Sequence, residues 1–300
     1  MTSPSLPAAA KSSSVRIASF AALALLAFAG NSLLCRLALA HTNIDVATFT
    51  GIRLLAGAAT LWLLVKLRGN GRAASAPESA TGNWISAFAL FAYASAFSLA
   101  YTQLSAATGA LLLFGSVQAT MIAVGLWRGE RLSPLQIGGL CLALAGLVAL
   151  LLPGLSAPPL VAALLMVAAG MAWGVYSLRG RNARDPVGTT AGNFLRSLPF
   201  AALFGVAMIG RLVPDAAGIG YAVASGALTS GVGYAIWYAA LPHLGALRAA
   251  VMQLSVPVIA AAGGLLLISE PITLRFVLCS LAILGGVLVV IVSGRRGARG

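Results

Sequence analysis

Charged residues are scarce in this chain. Only 8% of its 300 residues are charged, whereas 60% are hydrophobic and the mean hydropathy is +0.96. A soluble domain usually carries about 25% charged residues. Water would not tolerate so much apolar surface. The composition therefore excludes an ordinary soluble domain and predicts that most of the protein surface faces lipid.

Several kinds of chemistry are missing as well. No Gly-x-x-x-x-Gly-Lys-[Ser/Thr] stretch occurs, which disfavours ATP-driven pumping. The six acids fall in loops or at the ends of apolar runs, so neither a proton relay nor a hydrolytic dyad is indicated within the membrane. Cys35, Cys141 and Cys279 show no metal-binding or disulfide spacing. We therefore expect no enzyme activity, no cofactor and no metal site.

The positive charge is unevenly placed. The net charge of +13 could by itself indicate nucleic-acid binding, but most basic residues lie in short gaps between apolar runs. In the predicted topology, 13 of the 19 basic residues fall on one side of the membrane, 3 on the other and 3 inside spans. Lys and Arg accumulate in cytoplasmic loops, so both termini are predicted to be cytoplasmic, in a bacterial-type inner membrane.

The apolar runs predict an all-α integral membrane protein with ten transmembrane helices, since each span needs roughly 20 residues. The first run contains Ala27-Phe28-Ala29, which resembles a signal-peptide cleavage site. The run continues to Leu39, so we expect it to stay in the mature protein. The predicted spans are 16–39, 45–66, 82–101, 104–127, 134–152, 158–178, 188–209, 216–239, 241–268 and 272–293.

The two halves of the sequence resemble each other. Glu130 and Glu270 each close a span, and a glycine, Gly146 or Gly286, follows 16 residues later. Two pairs of arginines repeat at an offset of 143, namely Arg36 with Arg179 and Arg53 with Arg196. Each half holds five spans, and because five is odd the second copy must enter the membrane inverted.

Inverted repeats are typical of secondary transporters, which hold their substrate near the midplane where the repeats meet. The predicted domains are a cytoplasmic tail at 1–15, a first five-helix repeat at 16–156, a second five-helix repeat at 157–293 and a cytoplasmic tail at 294–300.

These features resemble the EamA family of the drug/metabolite transporter superfamily over nearly the whole chain. The matching features are the doubled five-span unit, the span-closing glutamates, the glycines that follow them and an arginine early in spans two and seven. The strings NSLLCRLAL at 31–39 and FTGIRLLAGA at 49–58 resemble the YddG-type amino-acid exporters of that family. The resemblance implies a ten-helix basket that exports amino acids or similar metabolites. One departure is that span four lacks a proline, whereas span nine has Pro257.

Polar and aromatic side chains inside spans are the candidate substrate-binding residues, because lipid-facing positions are normally apolar. Tyr93 and Tyr101 share one helical face of span three, and the repeat maps this face onto span eight. An interfacial aromatic belt explains Tyr101 and Tyr238 equally well. Helix–helix hydrogen bonds are the alternative role for the two glutamines. The candidates are Asn31, Tyr93, Tyr101, Gln118, Trp173, Tyr176, Ser230, Tyr234, Trp237, Tyr238 and Gln253.

Charged residues in or beside the spans have two possible roles. The guanidinium groups of Arg53 and Arg196 could hold a substrate carboxylate, but pairing with helix ends or snorkelling to the interface is the favoured explanation. For Glu130 and for Glu270, which precedes Arg275, we favour salt bridges at the membrane interface.

The sequence thus predicts a secondary transporter that exports amino acids, aromatic ones among them, or similar small metabolites by alternating access. The alternatives are an exporter of another metabolite class, such as sugar phosphates or drugs, and, in a different class, a passive channel. Sugar phosphates would require several cavity-facing cations, and a channel would require a continuous polar stripe. The expected partners are a small-molecule substrate and the lipid bilayer, without nucleic acid, and the protein is expected to be a monomer or weak homo-oligomer.

Overall fold

The computed structural model describes the backbone of residues 8–68, 82–129, 132–152, 157–181 and 183–293, and their side chains except at 8–15 and 245–248. Helices make up nearly all of these ranges, which contain no strand. A π-helical segment, Ser225–Val232, joins α8 to α9. The helices are α1 (Ala8–His41), α2 (Val46–Arg68), α3 (Trp84–Tyr101), α4 (Ala106–Trp127), α5 (Pro134–Leu151), α6 (Leu160–Gly180), α7 (Pro186–Ala207), α8 (Ala216–Ala224), α9 (Gly233–Gln253), α10 (Ser255–Ile268) and α11 (Leu274–Ser293).

The helices confirm the predicted all-α membrane fold. Within the described ranges, 9 helical stretches are long and apolar enough to cross a membrane. The remaining predicted span corresponds to α7, which has 22 residues and is more polar. Its residues Thr190, Asn193 and Ser197 are buried, and α7 packs against α2 and α3. Neighbouring helices rather than lipid therefore cover the polar side chains of this helix.

One predicted boundary was wrong. The first span, predicted at 16–39, agrees with the membrane-spanning stretch Arg16–His41 inside α1. The predicted break near residue 240 does not end a helix, because α9 continues through Pro242 to Gln253. A proline inside a membrane helix is tolerated when neighbouring groups satisfy the carbonyl that it frees. The predictions made for Glu130 and for the tail at 294–300 lie outside the described residues.

Short polar side chains fix where helices begin. The first backbone N–H groups of a helix have no partner within it, so an Asn, Ser or Asp oxygen in front of the helix stabilises its start. Asn83 accepts a hydrogen bond from Ser86 N in this way, and Ser133 forms a reciprocal capping box with Gln136. The other helix-capping residues of this kind are Asp45, Ser105, Asp185 and Asp215.

The helices of the two halves contact each other reciprocally. α1 packs on α9 and α10, while α6 packs on α3 and α4. α2 packs against α7, α4 against α10, and α5 against α11. This is the pattern expected when two five-helix units are related by a pseudo-two-fold axis. The boundaries of the units, at 16–156 and 157–293, stay a prediction.

Asp45 ties the start of α2 to the segment before α8. Its Oδ1 accepts hydrogen bonds from Ala47 N and Thr48 N, both at 2.9 Å, and its Oδ2 accepts one from Val213 N at 2.8 Å. Partial burial acts to raise the pKa of Asp45, but the hydrogen bonds from Thr48, Val213 and Ala47 together outweigh it. The pKa of this carboxyl therefore lies below its ordinary value.

We expect this carboxylate to make stability depend on acid pH. Because the folded pKa is lowered, the stabilisation is complete above the ordinary carboxyl pKa of about 4 and is lost as pH falls through the lower folded value. Thermal unfolding of the protein in detergent between pH 3 and 7 measures the loss. Asp45→Asn keeps an acceptor oxygen and should flatten the acid limb, whereas Asp45→Ala should cost about 1 kcal/mol at neutral pH. Identical acid limbs in the wild type and Asp45→Asn would contradict this explanation.

Candidate functional site

A small cavity lies between the two halves of the molecule. α1, α3, α4, α6, the π segment and α9 all contribute to its wall. Most lining residues are buried, so the cavity reaches into the interior of the helix bundle. The wall consists of the aromatic residues Phe28, Tyr93, Phe97, Phe114, Trp173 and Tyr234, the polar residues Asn31, Ser32, Thr229 and Gln253, and Leu113.

Five of the residues predicted from the sequence line this cavity, and they come from both halves: Asn31, Tyr93, Trp173, Tyr234 and Gln253. The other six lie outside it. Tyr176 stacks on Trp173, and Trp237 packs edge-on to Phe28. Ser230 and Gln118 are buried in the π segment and in α4.

Neither of the two tyrosines for which an aromatic belt was the alternative is exposed: Tyr101 is buried and Tyr238 is half-buried. Tyr101 is fully buried and its hydroxyl donates to the carbonyl oxygen of Ala106 at 3.3 Å. The hydroxyl of Tyr238 accepts a hydrogen bond from Thr190 at 3.4 Å. Roles for these residues in substrate binding stay a prediction.

Trp173 lies at the centre of a column of aromatic rings. Its ring centroid is 4.8 Å from that of Tyr93, 5.2 Å from that of Tyr176 and 5.3 Å from that of Tyr234. Tyr93 in turn contacts Phe97 at 5.3 Å. Rings at these distances give a rigid apolar wall that is well suited to a planar or apolar ligand.

Asn31 is the hub of a buried polar network. Its Nδ2 donates to the hydroxyl of Tyr93 at 3.3 Å. Its Oδ1 accepts from Ser225 at 2.7 Å, from Thr229 at 3.2 Å and from Arg53 Nη2 at 3.4 Å. One amide therefore connects α1, α2, α3 and the π segment beside the cavity.

The guanidinium of Arg53 lies in a different environment from the one that the sequence predicted. It is only 3% exposed, and its guanidinium lies 5.7 Å from the ring centroid of Tyr93 and 5.0 Å from that of Phe97. The expectation that it snorkels or binds a helix end was therefore wrong. Its repeat equivalent Arg196 is half-buried and donates to the carbonyl of Gly192 in its own helix.

Sequence reasoning missed two further members of the network, Ser225 and Thr229. They are four residues apart on the π segment, and both bind Asn31. The available signal was a pair of small hydroxyl residues inside an apolar span, where a polar group needs a partner. The same signal occurs at many positions where the hydroxyl merely bonds its own helix, as at Ser95 and Ser98.

One end of the bundle, the Arg36 end, is held by an ion pair. Arg36 Nε lies 2.8 Å from Glu270 Oε1, and Arg36 Nη1 donates to the carbonyls of Tyr101 and Thr102. Glu270 Oε2 also accepts from the backbone N–H of Ala106 at 2.8 Å. The predicted salt bridge of Glu270 is confirmed, but its partner comes from α1 rather than from the nearby loop.

The basic residue after Glu270 has a different partner. Arg275 donates to the carbonyl oxygens of Ala149 and Leu152 at the end of α5. It therefore binds a helix C-terminus, where a cation is favoured.

At the opposite end, the Arg179 end, the arginine binds neutral side chains rather than a carboxylate. Arg179 donates to Ser86 Oγ at 3.1 Å and to Asn83 Oδ1 at 3.2 Å, and so connects α6 to the start of α3. Beside it the hydroxyl of Tyr176 donates to Thr190 Oγ1 at 3.4 Å. The cavity thus lies between two separate sets of polar contacts, one at each end of α3.

A second small cavity lies between α4, α5 and α11. Its lining consists of Leu, Ile, Val, Ala and Gly residues, so it offers no side-chain hydrogen bond to a polar ligand. The cavity beside Asn31 is the better candidate site.

Comparison with known proteins agrees with this architecture. Residues 160–292 match the EamA-like transporter family. A protein of Pseudomonas aeruginosa, described as uncharacterized, is 56% identical over 269 residues, which are 90% of this chain and 92% of that protein. A crystal structure of another protein aligns with 93% of this chain and 98% of its own at a TM-score of 0.64. Its sequence is only 20% identical, so it shows the fold alone.

The nearly all-helical bundle, its apolar spans and these matches have one common explanation. The chain is a multi-pass membrane protein and belongs to the EamA-like transporter family, within the drug/metabolite transporter superfamily.

Proposed function

We propose that the protein is a secondary transporter that exports amino acids, aromatic ones among them, by alternating access through the cavity beside Asn31. The observation that carries the proposal is that both halves of the chain supply buried polar and aromatic side chains to one internal cavity. Inverted-repeat carriers hold their substrate at such a junction.

The two ends of the cavity favour a carrier over a passive channel. Arg36 and Glu270 tie the helices together at one end, and Arg179 and Asn83 tie them at the other. A carrier must open one end while the other stays closed, which separate sets of contacts allow. A channel would instead need a continuous polar path, and the wall of this cavity is mainly aromatic.

The lining also favours an amino acid over a sugar phosphate. A phosphorylated sugar would require several cations beside the cavity. Arg53 is the cation that contacts the described lining residues, through Asn31, Tyr93 and Phe97. One carboxylate is enough to match one guanidinium, and the rings can cover an apolar side chain.

The placement in the membrane belongs to the same proposal. The excess of basic residues in one set of loops supports cytoplasmic termini in a bacterial inner membrane. With this topology the Arg36 end faces outward and the Arg179 end faces the cytoplasm. In this proposal the protein transports its substrate without ATP and is a monomer or weak homo-oligomer.

Counterflow in liposomes tests the proposal. Purified protein is reconstituted, the vesicles are loaded with unlabelled phenylalanine, and entry of labelled phenylalanine is followed with and without a pH gradient. We expect saturable uptake, and we expect Trp173→Ala to weaken apparent affinity about tenfold because the ring contacts of three aromatic neighbours are lost. Trp127→Ala is the matched control, since Trp127 is 88% exposed at the surface. Conductance without saturation would favour a channel, and absence of uptake for a panel of amino acids would reject the proposed function.

A further inference from the structure

The polar network around Asn31 has no acceptor left for a further donor. Thr229 lies 2.6 Å from the carbonyl of Ser225, which takes its one hydroxyl proton. Ser225 and Arg53 Nη2 then occupy the two acceptor positions of Asn31 Oδ1. Any additional donor in this network is therefore short of an acceptor, which a ligand oxygen would supply.

Arg53 makes the shortage acute. Its Nη1 is buried and has no hydrogen-bond partner, and within the described part of the chain Arg53 forms no ion pair. The faces of Tyr93 and Phe97 offset part of its charge, but an aromatic face does not accept the in-plane hydrogen bonds of a guanidinium. A buried donor on a cation is costly to leave unpaired, so the site is built to receive an anion.

Arg53 lies one layer behind the cavity wall. It is not itself a lining residue, but it contacts three residues that are, namely Asn31, Tyr93 and Phe97. A planar carboxylate that displaces the weak 3.4 Å contact to Asn31 could accept two parallel hydrogen bonds from the guanidinium.

The described side chains around the cavity include no carboxylate that could pair with a positive charge on the ligand. The lining of the cavity contains neither Asp nor Glu among the described side chains. The described acids lie elsewhere: Asp45, Asp185 and Asp215 cap helices, and Glu270 pairs with Arg36. An ammonium group on the substrate would thus find amide oxygens, hydroxyls and ring faces, but no opposite charge.

We infer that Arg53 binds the carboxylate of the substrate, and that the site takes small carboxylates with an apolar or aromatic body whether or not they carry an α-ammonium group. The inference rests on the transport function proposed above and defines its substrate class. Amino acids are one subset of this class, and deaminated analogues of the same shape are another.

Three ligands of similar shape separate the contribution of the carboxylate to binding from that of the ammonium group. Phenylalanine carries both charges, 3-phenylpropionate carries the carboxylate alone, and phenethylamine carries the ammonium alone. We expect 3-phenylpropionate to compete with labelled phenylalanine in counterflow within about threefold of unlabelled phenylalanine, because the missing ammonium has no charged partner. Phenethylamine should compete at least about tenfold less well. The reverse order of the two analogues would overturn the inference.

Variants test the role of Arg53 itself. We expect Arg53→Gln to weaken 3-phenylpropionate binding on the order of 10-fold to 100-fold, with Arg53→Lys in between. Arg196→Gln is the matched control, because Arg196 is the repeat equivalent of Arg53 and donates to the carbonyl of Gly192 in its own helix. Equal binding in Arg53→Gln and the wild type would overturn the inference. If Arg53→Gln fails to fold, the three probes on the wild type still decide it.

The two proposals fail differently. If the wild type shows no counterflow of any amino acid, the proposed function fails, and ligand-induced thermal stabilisation in detergent then tests the carboxylate site directly. Stabilisation by 3-phenylpropionate that disappears in Arg53→Gln would support the site, and stabilisation by phenethylamine alone would reject it. If phenylalanine is transported but 3-phenylpropionate neither competes nor binds, only the inference fails.

Discussion

Replacing Glu270 with glutamine is expected to open the Arg36 end of the protein and to expose Cys35. This cysteine is fully buried and precedes Arg36 on α1. We expect its reaction with a membrane-impermeant thiol reagent to become at least about tenfold faster in Glu270→Gln. The measurement is made in proteoliposomes on a Cys141→Ser background, because Cys141 is exposed.

The expected size follows from the burial of the ion pair. The side chains of Arg36 and Glu270 are 19% and 11% exposed, so both charges are largely removed from solvent. Removing one partner of such a pair costs about 3 kcal/mol, which corresponds to on the order of 100-fold in a population. Arg36 keeps its bonds to the carbonyls of Tyr101 and Thr102, so part of the closure survives. An increase of at least tenfold is therefore the expected result.

Two controls separate opening from unfolding. Cys279 is buried on α11 and is not among the contacts of Arg36 and Glu270, so global unfolding should expose both cysteines, whereas opening of the Arg36 end should expose Cys35 alone. Asp215→Asn makes the same change of carboxylate to amide at a residue that caps a helix by accepting a hydrogen bond from Gly218 N. It should leave Cys35 protected. If Cys35 reacts in the Glu270→Gln variant at the same rate as in the wild type, the ion pair does not hold this end closed.

Much of the fold could be predicted because lipid imposes simple constraints on sequence. Each span needs a long apolar run, so the positions of most helices follow from hydropathy alone. The gaps at 102–103 and 128–133 were predicted because the apolar runs stop there, and in the structure Ser105 and Ser133 cap the helices that follow. The boundary near residue 240 was misplaced because α9 continues through Pro242 without a break. The π segment left no recognisable sequence signal.

The site was predicted in part, for a related reason. Aromatic and amide residues inside spans are conspicuous, and five of them do line the cavity. The orientation of Arg53 could not be predicted, because the inward face of α2 is set only when α3 and the π segment pack on it. The partner of Glu270 lies 234 residues earlier in the chain, and short-range sequence patterns cannot identify such a pair.

The backbone that carries Arg53 approaches the π segment closely at Gly226. A methyl group on Gly226 would overlap the backbone carbonyl of Arg53 and lie 2.9 Å from Ala56 Cβ. Gly57 faces the same contact, since a methyl group there would lie 3.2 Å from the carbonyl of Gly226. Backbone atoms cannot turn aside as a flexible side chain can, so any substitution at Gly226 must move α2 away from the π segment.

We therefore expect Gly226→Ala to lower stability by about 3 kcal/mol and to abolish carboxylate binding in the protein that still folds. Separation of the two helices would shift Arg53 relative to Asn31, whose bond to Arg53 Nη2 is already 3.4 Å long. Gly220→Ala is the matched control on the neighbouring helix turn, because nothing lies within 4 Å of a methyl group there. It should be neutral or slightly stabilising, since alanine is the better helix former by about 1 kcal/mol. Thermal unfolding in detergent, with and without 3-phenylpropionate, measures both effects, and equal stability of the two variants would show that the helices tolerate a wider spacing at Gly226.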